Sequence, residues 1–196
     1  MIHSLDLAIF RYFNSWAGIS PFFDGAIRFR AVYLLWVMIG AVMLFIIVPF
    51  IPKYRRWQNQ NVRMGILAFC AALIARFVIT ELIRLIYPRP RPFETLADVH
   101  QVIPHVQTAS FPSGHAALAF AIATAVSFYY PKTSIFFFLA ALSIGVGRIA
   151  AGVHWPSDIV GGALVGIATS ITIHKLVFRH SLPPSPLSHG TEERRG

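Results

Sequence analysis

Residues 31–51 read AVYLLWVMIGAVMLFIIVPFI, twenty-one positions without a charged side chain. A helix needs about 20 predominantly apolar residues to cross the hydrocarbon of a bilayer, so this stretch reads as a membrane span. The whole chain agrees. Of its 196 residues, 56% are hydrophobic and only 13% charged, a balance that suits a multi-span membrane protein and not a water-soluble domain of this size. No cleaved signal peptide is expected, because the first apolar stretch is short, interrupted by polar residues and followed by no small-residue cleavage site. The net charge of +9 could point to nucleic acid, but basic residues gather in the loops that flank membrane spans. No nucleic-acid partner is expected.

Upstream of this span, Ile2, Leu5, Ile9, Phe13 and Trp16 recur at three- and four-residue spacing, with Asp6, Arg11 and Asn14 elsewhere. That periodicity predicts an amphipathic helix lying in the interface, or a short re-entrant segment. Downstream, four more spans are expected at about 64–86, 113–130, 134–153 and 156–178. A loop with Lys53, Arg55, Arg56 and Arg63 precedes the first of these, and a tight Pro131-Lys132-Thr133 turn joins the middle pair. The connection 87–111 is polar and rich in proline, with Glu94, Asp98, His100 and His105. Gly162 and Gly166 form a GxxxG pair that lets a neighbouring helix approach closely. The lone cysteine, Cys70, reads as a small packed hydrophobe. The expected fold is all-α, an integral membrane bundle of about five transmembrane helices plus the N-terminal helix. Residues 1–180 form one domain, and 181–196, rich in Pro, Ser, Glu and Arg, read as a disordered tail.

Span counting puts the loop 53–63, Lys132 and the Lys175/Arg179 end on one side, which the positive-inside rule makes cytoplasmic. Arg28 and Arg30 run against that assignment. Under either orientation three chemistry-bearing motifs share the opposite face: Arg84-(six)-Arg91-Pro92, Pro112-Ser113-Gly114-His115, and Arg148-(five)-His154-(three)-Asp158.

Each motif has its own logic. Pro112 and Ser113 mark a helix start, whose free N–H groups and positive dipole end suit a phosphate; Gly114 lets the backbone approach closely. Alone, this pattern is equally an ordinary capped helix with an interfacial histidine. Pro156 marks another helix start. Asp158, four residues after His154, can accept the Nδ1 proton and raise the basicity of Nε2, although it also fits a capping aspartate. Arg84, Arg89 and Arg91 suit lipid-headgroup anchors, but Pro88, Pro90 and Pro92 stiffen the stretch so that the guanidinium forks point in defined directions. Glu81 lies three residues before Arg84 on the same helix face and can orient it. Arg76, deeper in its span, has no evident role, and burying it unpaired would be costly.

From Arg84 to Asp158 the order and spacing resemble the type 2 phosphatidic acid phosphatase family, which is related to vanadium haloperoxidases and bacterial acid phosphatases. That family carries Lys-(six)-Arg-Pro, Pro-Ser-Gly-His and Ser-Arg-(five)-His-(three)-Asp. Arg84 stands here for the lysine and Gly147 for the serine. The resemblance implies a lipid phosphatase in which His154 is the nucleophile and forms a phosphohistidine, Asp158 orients it, and His115 protonates the leaving oxygen. Arg84, Arg91, Arg148, Ser113 and the Gly114 amide would hold the phosphate oxygens. No metal and no cofactor is expected, since the acidic residues of this half do not cluster.

A site at the membrane edge implies a phospholipid or polyprenyl diphosphate substrate. The small size and the Tyr-Pro-Arg-Pro-Arg-Pro-Phe run resemble the undecaprenyl-diphosphatase branch, with the site on the extracytoplasmic face of the cell membrane. Phosphatidylglycerophosphate, phosphatidate and lipid A are the alternative substrates. A haloperoxidase of this pattern would be soluble. A non-catalytic scaffold or transporter that binds anionic lipid would release no phosphate.

Overall fold

The computed structural model describes residues 4–104 and 107–178. The tail 181–196 and His105 lie outside the described residues. Along the described chain run α1 (Ser4–Asn14), α2 (Pro21–Phe50), α3 (Pro52–Ile86), the short α4 (Pro92–Thr95), α5 (Gly114–Tyr129), α6 (Pro131–Ala150) and α7 (Pro156–Val177). Five of them, α2, α3, α4, α6 and α7, begin with proline, whose fixed φ suits the first helical turn and whose missing N–H would find no partner there. Four are long and apolar enough to cross a membrane, and α5 is a shorter apolar helix. The protein is a multi-pass helical membrane protein.

Helix α5 sits at the centre. Its sequence is rich in alanine, and Ala116, Ala117, Ala119, Ala121, Ala123 and Ala125 are all fully buried, as expected of a helix that is apolar all round. Helices α3, α6 and α7 pack against it. Contact with α7 is backbone on backbone. A Cβ at Gly162 would overlap the Ser113 carbonyl oxygen, and one at Gly166 the Ala117 carbonyl oxygen. The GxxxG spacing thus does what its small residues allow: two helices approach until dispersion between backbones holds them. Outward-facing Trp36, Val37, Leu44 and Ile47 on α2, and Phe136, Leu139 and Leu142 on α6, stay exposed, which fits a surface solvated by lipid.

Several boundaries differ from the sequence reading, because helices continue beyond the apolar stretch that marks them. Helix α2 starts ten residues ahead of the apolar run, with Ser20 accepting the Phe23 N–H as its cap. Helix α3 reaches back through the basic loop to Pro52. The Pro131-Lys132-Thr133 turn is the first turn of α6. Cys70 is exposed on α3; it faces outward where a packed position was expected, and its small apolar character is compatible with lipid contact.

Helix α1 also differs in the face it buries. Leu5 is 61% exposed, whereas Asp6, Phe10 and Asn14 are buried. These three recur every four residues and form a single stripe. Asn14 donates to the carbonyls of His100 and Ala150, both at 2.9 Å, and accepts the His100 N–H at 3.1 Å. Phe10 packs on Trp155 with ring centroids 5.2 Å apart. Polar hooks and one aromatic dock α1 onto the end of the bundle where the three motifs lie.

Candidate active site

The three motifs meet at the junction of α5, α6, α7 and the connection 87–111. Ser113 is fully buried, and its backbone N–H donates to the Asp158 carbonyl at 2.9 Å, tying the start of α5 to the start of α7. Its Oγ accepts the Ala116 N–H at 3.5 Å, the cap expected of it. His115 follows in the first turn, half-buried.

His154 is 1% exposed and stands just before α7. Its Nδ1 lies 3.3 Å from Asp158 Oδ2, and its Nε2 lies 3.3 Å from Arg91 Nη1. Asp158, fully buried in the first turn of α7, is held from several sides. Oδ2 accepts the Trp155 N–H at 2.8 Å and the Ser110 hydroxyl, and Oδ1 accepts from Arg89 Nη1 at 2.9 Å. A buried carboxylate needs this many donors to remain ionised.

The arginines divide into two kinds. Arg91, 1% exposed, spends its donors on the protein: Nε on the Thr108 carbonyl at 2.9 Å, Nη1 on the Val153 carbonyl at 2.8 Å, Nη2 on Thr108 Oγ1 at 3.1 Å and the Ala109 carbonyl at 3.2 Å. Burial, with Arg84 nearby, pushes its guanidinium down to about 10, so it carries its charge at neutral pH. Arg148 is the opposite. It is 2% exposed, its Nη1 reaches the Ala31 carbonyl at only 3.5 Å, and its Nε and Nη2 find no hydrogen-bond partner among the described residues. Arg84 is intermediate. Nη1 donates to Glu81 Oε1 at 3.0 Å and Nη2 to the Pro112 carbonyl at 3.1 Å, while Nε is buried without a partner. Leaving a buried donor unpaired costs about 1–3 kcal/mol. Three such nitrogens, all on guanidinium forks at one end of the bundle, suit an oxyanion.

Two positions in these motifs behave differently from expectation. The space beside Gly114 is filled by Arg76, whose Cζ would stand 3.0 Å from a Cβ there. Arg76 leaves a π-helical turn at 74–79, pairs with Glu81 Oε1 and lies 4.9 Å over the Phe77 ring. Glu81 is therefore shared by Arg76 and Arg84, which gives Arg76 the partner its depth requires. At Gly147, a Cβ would stand 2.8 Å from Arg30 Cβ and 2.9 Å from the Ala31 N. The missing serine is explained by α2 packing directly on α6.

Sequence reasoning missed Asp6 and Ser110 and gave Arg89 no duty beyond its place in the basic cluster. Arg89 lies between Asp158 and Asp6, and its Nη1 also donates to Ser157 Oγ at 2.6 Å. The stripe of Asp6, Phe10 and Asn14 at four-residue spacing was the available signal. Among the described residues, no three His, Cys, Asp or Glu side chains cluster as a metal site would require.

Membrane-spanning helices that gather buried guanidinium groups beside a histidine–aspartate pair define a class of membrane proteins with an anion-suited site. The family model of the PAP2 superfamily matches residues 65–182, and the chain belongs to that superfamily. The bacitracin transport permease protein BcrC of Bacillus licheniformis is 27% identical over 182 residues, 91% of this chain and 85% of that protein. The undecaprenyl-diphosphatase BcrC of Bacillus subtilis (strain 168) is 42% identical over 123 residues, 63% of this chain and 61% of that one. The crystal structure of Aquifex aeolicus LpxE superposes with a TM-score of 0.66 at 31% identity, covering 88% of this chain and 96% of that one. The chain is a lipid phosphatase of the membrane PAP2 type.

Proposed function

We propose that this phosphatase hydrolyses undecaprenyl diphosphate to undecaprenyl phosphate through a phosphohistidine on His154. The observation that carries the reading is the placement of that ring. Nδ1 faces a buried, fully hydrogen-bonded carboxylate and Nε2 faces the arginine cluster. Asp158 accepts the Nδ1 proton and keeps Nε2 as the nucleophilic nitrogen. Nε2 attacks the terminal phosphorus; the phosphorus–oxygen bond to the leaving phosphate breaks, and His115 gives that oxygen its proton. Water then attacks the phosphohistidine, giving its proton to His115. Inorganic phosphate leaves and Nε2 is restored.

Charge spreads over the equatorial oxygens in such a transfer, and positioning with electrostatic stabilisation supplies most of the barrier reduction. The donors suited to those oxygens are Arg148 Nε and Nη2 and Arg84 Nε, with Ser113 and the Gly114 amide at the start of α5. Arg91, its own donors committed, holds His154 and lends its charge. No metal ion is assigned to the reaction. Residues 1–180 act as one phosphatase domain, and the site faces the extracytoplasmic side, because Lys53, Arg55 and Arg56 lie at the other end of α3 from Arg84. Phosphatidylglycerophosphate, phosphatidate and lipid A are the competing substrates on the same machinery.

The test is phosphate release by the full chain in detergent from each of these four lipids, with His154→Ala alongside and with and without a chelator. The expected result is fastest release from undecaprenyl diphosphate, unchanged by the chelator and abolished in His154→Ala. Release by His154→Ala near the wild-type rate would overturn the mechanism; faster release from another of the four would reassign the substrate.

A further inference from the structure

Helix α1 lies 70 residues or more from every motif residue in sequence, yet one of its side chains is two ion pairs away from Asp158, the partner of His154. Asp6 is 7% exposed. Its Oδ2 accepts from Arg89 Nη2 at 2.7 Å and from the Ser157 hydroxyl at 2.5 Å, and its Oδ1 accepts the Ser157 N–H at 2.8 Å. Arg89 in turn donates to Asp158 Oδ1 at 2.9 Å and lies 5.4 Å over the Trp155 ring. Asp158 faces His154 Nδ1. The chain of contacts runs Asp6, Arg89, Asp158, His154.

We infer that Asp6 is a positioning residue for the phosphoryl transfer, acting on His154 through Arg89 and Asp158. Two physical effects make it so. The first is geometric. The Ser157 N–H is one of the free donors of the first turn of α7, and Asp6 satisfies it from another helix, much as an N-cap would. That fixes the turn on which Asp158 sits. The second is electrostatic. Arg89 stands between two carboxylates, with one Nη on each. Asp6 takes part of the guanidinium's attraction, so Asp158 keeps more of its negative charge for the imidazolium that develops as His154 attacks. Without Asp6, Arg89 would turn wholly to Asp158 and weaken it as a partner for His154.

This inference rests on the reading of Asp158 as the group that orients His154, so its test must separate the two. The full chain in detergent is assayed with whichever of the four lipid phosphates it hydrolyses fastest, and the rate of phosphoenzyme formation is read by quench-flow. Asp6→Asn keeps the shape and an acceptor for the Ser157 N–H but removes the charge. It should lower kcat and the phosphorylation rate about ten- to hundredfold, by analogy with the range for removing the outer partner of a metal-bound histidine, with KM nearly unchanged. Asp6→Glu should recover part of that loss. Phe10→Leu loosens the same helix without touching the ion pairs, so it should lower the melting temperature while kcat holds.

A purely structural α1 would give the reverse pattern: kcat losses that track the loss of folded protein, with Asp6→Asn and Phe10→Leu alike. That result, or a wild-type kcat in Asp6→Asn while His154→Ala is inactive, would overturn the inference and leave the catalytic reading standing. Turnover by His154→Ala would instead overturn the reading beneath it. Should Asp6→Asn fail to fold, Ser157→Ala removes the hydroxyl that donates to Asp6 and accepts from Arg89, loosening the same relay, and should still slow phosphorylation severalfold; an unchanged rate in a folded Ser157→Ala would then overturn the inference.

Discussion

Two arginine-rich regions share one end of the bundle and are built on opposite principles. Around Arg89 and Arg91 the guanidinium groups are saturated by carboxylates, carbonyls and hydroxyls. Arg148, and in part Arg84, keep buried N–H groups with no partner among the described residues. The first region is a fixed frame for His154 and Asp158. The second carries an energetic cost in the folded protein, which an arriving oxyanion would offset under the proposed function. On that reading, rigid positioning and ligand affinity reside in different arginines, although the sequence offers all of them as alike.

Replacing Arg148 breaks this contrast most sharply. Arg148→Met should lower kcat/KM about 10²–10³-fold, the range for losing one preorganised donor to developing charge. The same change should raise the melting temperature in detergent, since it removes buried donors worth about 1–3 kcal/mol while unpaired. Lost activity with lost stability would show that Arg148 belongs to the frame. Arg91→Met should behave oppositely in stability. It orphans the Thr108, Ala109 and Val153 carbonyls and should destabilise by about 3–5 kcal/mol, read as a clear fall in melting temperature.

Inorganic phosphate gives a smaller effect of the same kind. At a hundredfold excess over its dissociation constant it should stabilise the wild-type chain by about 2.7 kcal/mol, and Arg148→Met much less at the same concentration. Equal shifts would place the anion elsewhere.

The smallest expected effect is with pH. The Arg91 guanidinium is lowered to about 10 in the folded protein because it is buried, with Arg84 nearby. Its folded value lies below its unfolded one, so the cost of burying the charge applies in full below about pH 10 and is relieved as pH rises from about 10 toward the value of a free arginine. Activity, which uses the charge, should decline as pH rises through about 10, with no loss of stability attributable to this group. Activity flat across that window would remove Arg91 from the reaction.

Much of this was legible in the sequence, for identifiable reasons. A membrane span announces itself by length without charge, as at 31–51, and proline and serine mark the helix starts that carry Ser113 and Asp158. Glu81 could be paired with Arg84 because both lie on one helix. What stayed hidden depends on contacts between distant segments. Asp6 looked like part of a solvated face because the apolar periodicity of α1 suggested a lipid interface, and only the docking of α1 on Trp155 reverses which stripe is buried. The glycine at 147, where the resembling family has serine, turns out to be room for Arg30 and Ala31. Which arginine holds partners and which does not is a property of packing, and no spacing records it.

Trapping the covalent intermediate tests the central claim most directly. The full chain in detergent is mixed with terminally labelled undecaprenyl diphosphate, quenched in base within milliseconds and mapped by mass spectrometry. The account predicts phosphate on the His154 imidazole during turnover, with none in His154→Ala. Steady phosphate release with no label on His154, or label on another side chain, would contradict it.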